Sequence, residues 1–431
     1  MRIARGVSIV LSCLVLMAVV LPAVAGCGAT DSAPKVSWNS PSQGDEVFGI
    51  ARLKVKASSG GGVSEVSFYC DSVDNQHLIG TVTSPADSLY TQVWYTTDVA
   101  NGEHTLYAVA LDDKEQSEEA SRTVTVSNLT RADAITSHVT WAKRTPQTDL
   151  HPPELDPAFS AYWKAPEMLG APINTTGYED SCFITPDGNN LYFFFTADMY
   201  IDVTKQVLDG VTGIYWSQNV GGTWTEPRRV WLNYYDDPAL DGAEAITGNT
   251  MWFGSARTGN YHREANDANM WTAQWQDGRW TDWANAGQKL NVDYEIGELH
   301  VSADGNEIYF HSERPGGKGA YDLWVTRKVN GQWQQPENVA AVNTADGEGW
   351  PCLSPDGNEL WFTRNINSIP AGIYRSVKVN GQWQTPERVL SGLAGEPTLD
   401  SQGNLYFVHH YYDDSAQRMW EADIYICRRK S

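Results

Sequence analysis

One phrase constrains this 431-residue chain more than any other, because it is written five times: "TPDGNNLYF" (185–193), "ITGNTMWF" (246–253), "SADGNEIYF" (302–310), "SPDGNELWF" (354–362) and "DSQGNLYF" (400–407). Each copy reads as the end of one strand, a tight turn and an alternating second strand. Recurrence at roughly fifty residues marks a repeat architecture whose units bury their faces against one another. A third strand follows each copy: "GIYWS" (213–217), "NMWTA" (269–273), "DLWVT" (322–326), "GIYRS" (372–376) and "DIYIC" (423–427). Four copies then turn through Gly-Gly, Asp-Gly or Asn-Gly into a last strand, as in "NGQWQQPENV" (330–339) and "NGQWQTPERV" (380–389). Those pairs supply the positive φ that tight hairpins require. The pattern predicts five four-stranded antiparallel units, with a tighter first turn in the second, whose copy lacks Pro-Asp.

The fifth copy ends at Ser431 without its Trp-x-x-Pro strand. The missing piece stands at the other end of the region in "YWKAPEMLGAPINTT" (162–176), where Trp163 and Pro166 match Trp333 and Pro336, and Ile173-Asn174-Thr175 matches Val342-Asn343-Thr344. An N-terminal strand that completes the last unit closes a ring and removes exposed edges. The expectation is therefore an all-β chain with a five-bladed β-propeller over 158–431. Ser354-Pro355-Asp356-Gly357-Asn358 through Leu360-Trp361-Phe362 resembles the PD40, or TolB-type WD40-like, repeat. That resemblance implies a propeller without fixing an activity, since the family includes periplasmic binding proteins, cell-surface scaffolds and catalytic domains.

Residues 36–127 read differently. Alternating segments such as Leu53-Lys54-Val55-Lys56-Ala57 and Thr105-Leu106-Tyr107-Ala108-Val109-Ala110, broken by Gly, Asn and Asp, predict a β-sandwich. "SPSQGDEVFG" (40–49) and "NGEHTLYAVALDD" (101–113) resemble bacterial Ig-like domains, which implies a spacer. Residues 128–157, with Pro146, Pro152, Pro153 and Pro157, read as a linker. Ahead of the sandwich, Arg2 and Arg5, an apolar run and small residues over 1–26 form an export signal. Val24-Ala25-Gly26-Cys27 resembles the lipobox of bacterial lipoproteins, which implies lipidation at Cys27, a tether over 27–35 and a membrane anchor.

The formal charge is −22, and −24 once a signal holding two arginines and no acid is removed. So acidic a surface repels phosphate backbones, which excludes nucleic acid as a partner and suits cations and neutral ligands. Cys70, Cys182, Cys352 and Cys427 lack metal-site spacing and read as buried small side chains.

An acid stands just before the first strand of every unit: Glu179 with Asp180, Glu244, Glu298, Glu348 and Glu396. First strands line the channel of a propeller, so these acids are expected to ring one mouth of it. The ring has three readings: a structural acid of the repeat, a site for a hard cation such as Ca²⁺, or carboxylate-pair catalysis of glycoside hydrolysis. Arabinanase-like hydrolases share the five-bladed architecture, and position alone then implies Asp180 or Glu179 as base, Glu298 as acid and Glu244 as their modulator. Arg257, Arg314 and Arg364 follow the second strand of three units and are expected either to pair with a neighbouring acid or to form a partial cluster for an anionic ligand. Trp350 and the loop tyrosines could stack on sugar rings. The function expected is an envelope lipoprotein binding a carbohydrate or an envelope protein at an acidic, aromatic mouth. A glycoside hydrolase or polysaccharide lyase and a non-catalytic scaffold are the alternatives.

Overall fold

The computed structural model describes residues 33–114, 117–261, 268–366 and 369–430. The signal, Cys27 and most of the tether lie outside them. What is described is all-β, with an Ig-like domain followed by a repeat region.

The Ig-like domain packs a sheet of Lys35–Ser40, Ile50–Ser58 and Tyr90–Tyr95 against a second of Glu46–Val47, Ser117–Val126, Gly102–Asp112, Val63–Cys70 and Leu78–Val82. Alternation puts Leu53, Val55, Val66, Phe68, Trp94, Leu106, Ala108 and Val124 into one core between the sheets. The domain lies against the second repeat. Phe48 meets Trp231 with ring centres 5.8 Å apart, and Arg52 and Asp98 pair with Asp236 and Arg279 at 2.8 and 2.9 Å.

Each repeat is an antiparallel ladder in chain order. The fourth, for example, runs Gly347–Leu353, Glu359–Ile366 and Ile369–Val379, with Gln382–Trp383 and Glu387–Ser391 returning along the third strand. The recurring phrase is a self-satisfied turn. Asp356 accepts from Ser354 Oγ (2.5 Å), Asn358 N (3.1 Å) and Asn358 Nδ2 (3.0 Å), while Gly357 takes φ +70°. Asp187 and Asp304 repeat this network. In the second repeat only Gly248 and Asn249 separate the paired Thr247 and Thr250, the tighter turn expected there.

The innermost strands pack side by side in a cycle: Tyr178–Ile184 beside Ala239–Thr247, then Leu299–Val301, Gly347–Leu353, Ala394–Leu399 and back to Tyr178–Ile184. Glu167–Met168 pairs antiparallel with Arg418–Cys427, and Trp163 bridges Arg429. Asn174 clasps Ile424 through both backbone groups at 2.9 Å, as Asn343 clasps Leu323. The N-terminal piece thus serves the fifth repeat as residues 337–344 serve the third.

The segment read as a linker is woven into the repeats. A capping box of Thr130 and Asp133 starts a helix at Arg131–His138, and Glu154–Leu155 adds a strand beside Glu387–Ser391. Arg131, Lys143 and Asp149 of this segment reach buried titratable side chains of the first and last repeats.

Candidate functional site

Strand register decides where each acid points. In four repeats the innermost strand carries a two-residue bulge: Ser181-Cys182, Ala243-Glu244, Trp350-Pro351 and Glu396-Pro397. The first bulge residue is left-handed each time, with φ of 47°, 54°, 51° and 55°. Such a bulge turns side chains off the regular pleat. In the third repeat Glu298-Leu299 stands at the same level, with Leu299 the first residue paired. These five pairs line one narrow cavity of about 50 Å³, and every repeat contributes to it.

The acids consequently do not form one ring. Glu348 lies two residues before its bulge and is fully buried, accepting from Arg364 Nε (2.7 Å), Thr344 N (2.9 Å) and Thr344 Oγ1 (2.6 Å). Glu179 is its counterpart in the first repeat. It accepts from Thr175 N (2.8 Å) and Thr175 Oγ1 (2.6 Å), but its arginine is Arg131, at 3.2 Å. Burial pushes the Glu179 carboxyl up to about 7 against the opposing charge of Arg131. In the second repeat this position is Asp241, which the sequence reading passed over, and it pairs with Arg257 at 2.5 Å. In the fifth the carboxylate comes from outside: His409, in the register of Arg364, meets Asp149 at 2.7 Å.

Arg257 and Arg364 are therefore held inside their repeats and do not line the cavity. Arg314 donates to the Tyr294 carbonyl (3.1 Å) and lies over the Trp324 ring. The partial arginine cluster for an anionic ligand does not form.

The acids that do gather are Asp180, Glu244, Glu298 and Glu396. Asp180 Oδ1 lies 3.4 Å from His410 Nε2, and Ser181 N donates to Glu396 Oε2 at 2.7 Å. Glu244 is buried, and neither of its carboxylate oxygens has a hydrogen-bond partner among the described residues. Burial, reinforced by the Glu298 and Asp180 charges, pushes Glu244 well above the usual carboxylate range. Burial and the Asp180 charge lift Glu298 to about 8, and the same two causes hold Glu396 well up. Asp180 moves the other way, since its hydrogen bond to His410 and the charge of that ring outweigh burial. Burial and mutual repulsion thus push Glu244, Glu298 and Glu396 toward their neutral forms while Asp180 is held toward its ionised form, the division that neighbouring carboxyls enforce on one another. Trp350 faces the same cavity, its ring centre 5.3 Å from that of His311, and burial lowers both His300 and His311 to about 4.

Chemically, neutral carboxyls can donate a hydrogen bond as well as accept one, so the cluster offers both functions within a small space. Asp180, Glu396 and His410 also bring ligand atoms within 4.8 Å of one another, enough to hold a cation. An imidazole in that set suits a borderline metal better than Ca²⁺, which takes oxygen ligands.

Residues 34–108 match the model of a bacterial Ig domain. No curated protein matches the chain in sequence. Among solved structures, residues over 60% of this chain align with 54% of a xylan β-1,4-xylosidase from Bacillus halodurans C-125, at 12% identity and TM-score 0.39. The extracellular domain of a putative one-component system from B. thetaiotaomicron aligns over 63% of this chain and 40% of its own, at 11% identity and TM-score 0.31. An endo-β-1,4-mannanase from Thermotoga petrophila aligns over 23% of this chain at 15% identity and TM-score 0.20, and the aligned part spans 20% of the mannanase. A bacterial Ig domain points to an extracellular or surface protein, and among the described residues no helix is long and apolar enough to cross a membrane.

Proposed function

We propose that residues 158–430 form a closed five-bladed propeller of the PD40 type, and that its acidic mouth binds a neutral, hydroxyl-rich ligand of the carbohydrate class on an exported protein anchored through Cys27. The observation that carries this reading is the gathering of Glu244, Glu298 and Glu396 around one cavity built by all five repeats, with Asp180 within 4.8 Å of Glu396 and burial holding the three glutamates toward their neutral forms. Neutral carboxyls and one carboxylate match the donor and acceptor pattern of sugar hydroxyls without the charge that draws ionic ligands. Trp350 adds an aromatic face at the same level. The cavity admits only a small group, so the ligand lies across the rim and inserts a hydroxyl. The cyclic packing of the innermost strands and the pairing of Glu167–Met168 with the last strand support closure.

The test is a glycan array followed by calorimetric titration of the full chain. Binding that falls at least ten-fold in Trp350→Ala, with an unchanged melting temperature, supports the reading. No binding to any neutral glycan overturns it and leaves an envelope scaffold. A second reading rests on the opposite shifts of two neighbouring acids: Asp180 is held down by His410 and Glu298 is lifted to about 8, the division of roles that glycoside hydrolysis uses. In that case Glu298→Gln abolishes turnover of a bound glycan while leaving its binding in place.

A further inference from the structure

The Ig-like domain carries a second cluster of titratable groups at the edge of its core, to which Cys70 belongs. Cys70 ends the strand Val63–Cys70, Asp71 follows it, and His104 lies near the start of the neighbouring strand Gly102–Asp112. His104 Nδ1 is 3.7 Å from Cys70 Sγ and 2.7 Å from Asp71 Oδ2, and the three ligand atoms all lie within 4.8 Å of one another. We propose that Cys70, Asp71 and His104 form a binding site for a Zn²⁺-class transition-metal ion, with Sγ, Oδ2 and Nδ1 as ligands and water in the fourth position.

The donor set is the first support. One thiolate, one imidazole and one carboxylate are the mixture that a borderline-soft ion takes, and three protein ligands leave a tetrahedral centre open on one side. The second support is the orientation of the imidazole. His104 Nε2 lies 2.8 Å from the Ala100 carbonyl, so that nitrogen donates to the backbone and Nδ1 is turned toward the other two groups. A ligating histidine is commonly fixed in this way by its second nitrogen.

The backbone supplies the third. Asp71 stands at φ +68°, a conformation that costs a non-glycine residue about 1 kcal/mol or more. Two bonds hold it there: Asp71 N to Thr105 O at 2.7 Å, and Thr105 N to Asp71 Oδ1 at 3.0 Å. One carboxylate oxygen is thereby committed to the strand and the other is directed at His104. The Sγ to Nδ1 distance already suits a tetrahedral ion, whose ligands stand ~3.4–3.7 Å apart, and the 2.7 Å between Nδ1 and Oδ2 must open by less than about 1 Å. Cys70 is buried but Asp71 is exposed, so an ion can enter from solvent.

Without an ion the three groups are held together by protons. Burial, with the Asp71 charge beside it, pushes the Cys70 thiol up to about 12, and the hydrogen bonds to Ala100 and Asp71 outweigh burial to raise His104. A divalent ion would release the thiol proton and the Nδ1 proton to solvent and take their place. The Ala100 turn also carries Asp98, which pairs with Arg279 of the second repeat, so an ion here would stiffen the segment by which the two domains touch.

Full chain with reduced thiols is titrated with Co²⁺ as the spectroscopic probe. The expected result is a thiolate-to-cobalt charge-transfer band that saturates at one equivalent and is bleached by Zn²⁺. Cys70→Ser should remove the band, and His104→Gln should weaken Co²⁺ binding at least ten-fold. Asp71→Asn, which keeps the left-handed turn and its bond from Thr105, should weaken binding similarly should the histidine variant fail to fold. Absence of the band in the unmodified chain, or a band unchanged in Cys70→Ser, overturns the proposal.

Discussion

Replacing Glu348 by Gln separates a structural acid from a site acid. Glu348 is fully buried and satisfies the Arg364 guanidinium, the Thr344 amide and the Thr344 hydroxyl at 2.6–2.9 Å. Gln keeps the shape and one acceptor, but sets an amide N–H₂ against a donor and leaves Arg364 without its counter-charge. Breaking a buried pair from one side costs about 3–5 kcal/mol. In a repeat region of this size 1 kcal/mol moves the melting temperature by roughly 2–4 °C, so the expected fall is about 6–20 °C. Differential scanning calorimetry of the full chain at neutral pH reads it, with the transition of the Ig-like domain as an internal reference. Glu298→Gln, changed in the same way at a cavity position, should not lower the melting temperature. A fall of less than about 2 °C in Glu348→Gln, or an equal fall in both variants, would refute the division of the acids by register.

Glu298 also makes a pH prediction. Its carboxyl is raised from 4.5 to about 8, so the folded chain binds more protons than the unfolded one between those values, and this residue's contribution to stability falls as pH rises through that window. Melting temperatures measured from pH 5 to 8.5 should decline less steeply in Glu298→Gln than in the unmodified chain. Asp149→Asn removes the carboxylate that His409 meets at 2.7 Å, and should cost about 1–3 kcal/mol in denaturant unfolding even though residue 149 lies outside the repeats. Gly372→Ala should be among the most damaging single-methyl changes. Its Cβ would clash with the Leu390 carbonyl oxygen on a backbone at φ +136°, and loss of soluble protein or a melting point lower by about 10 °C or more is the expected reading.

The repeats were legible because their signal is local. Ser354, Asp356, Gly357 and Asn358 close a turn on themselves, so the same letters must recur wherever that turn is made. The acids were legible only as a set. Glu244 follows its glycine by two residues and Glu298 by one, yet both reach the cavity, while Glu348 follows Gly347 by one and is buried beneath an arginine. The two-residue bulge breaks the count, and a shift of one residue moves a side chain to the other face of a strand. Arg131 and Asp149 could not be picked out by name. Their partners, Glu179 and His409, lie 48 and 260 residues away, and no spacing rule spans such distances. A hint did exist: the first repeat has the acid without its arginine, and the last has neither.

The seam at Trp163 and Glu167–Met168 also orders events in time. Synthesis proceeds from the N-terminus, so the residues that pair with Tyr425, Ile426 and Arg429 are made first and must wait until the fifth repeat exists. Contacts between such distant parts of a chain form late and slowly, and until then the apolar edge of the first repeat stands uncovered. The strand Arg418–Cys427 is therefore a completion signal: without it the segment Glu167–Met168 has no strand to join.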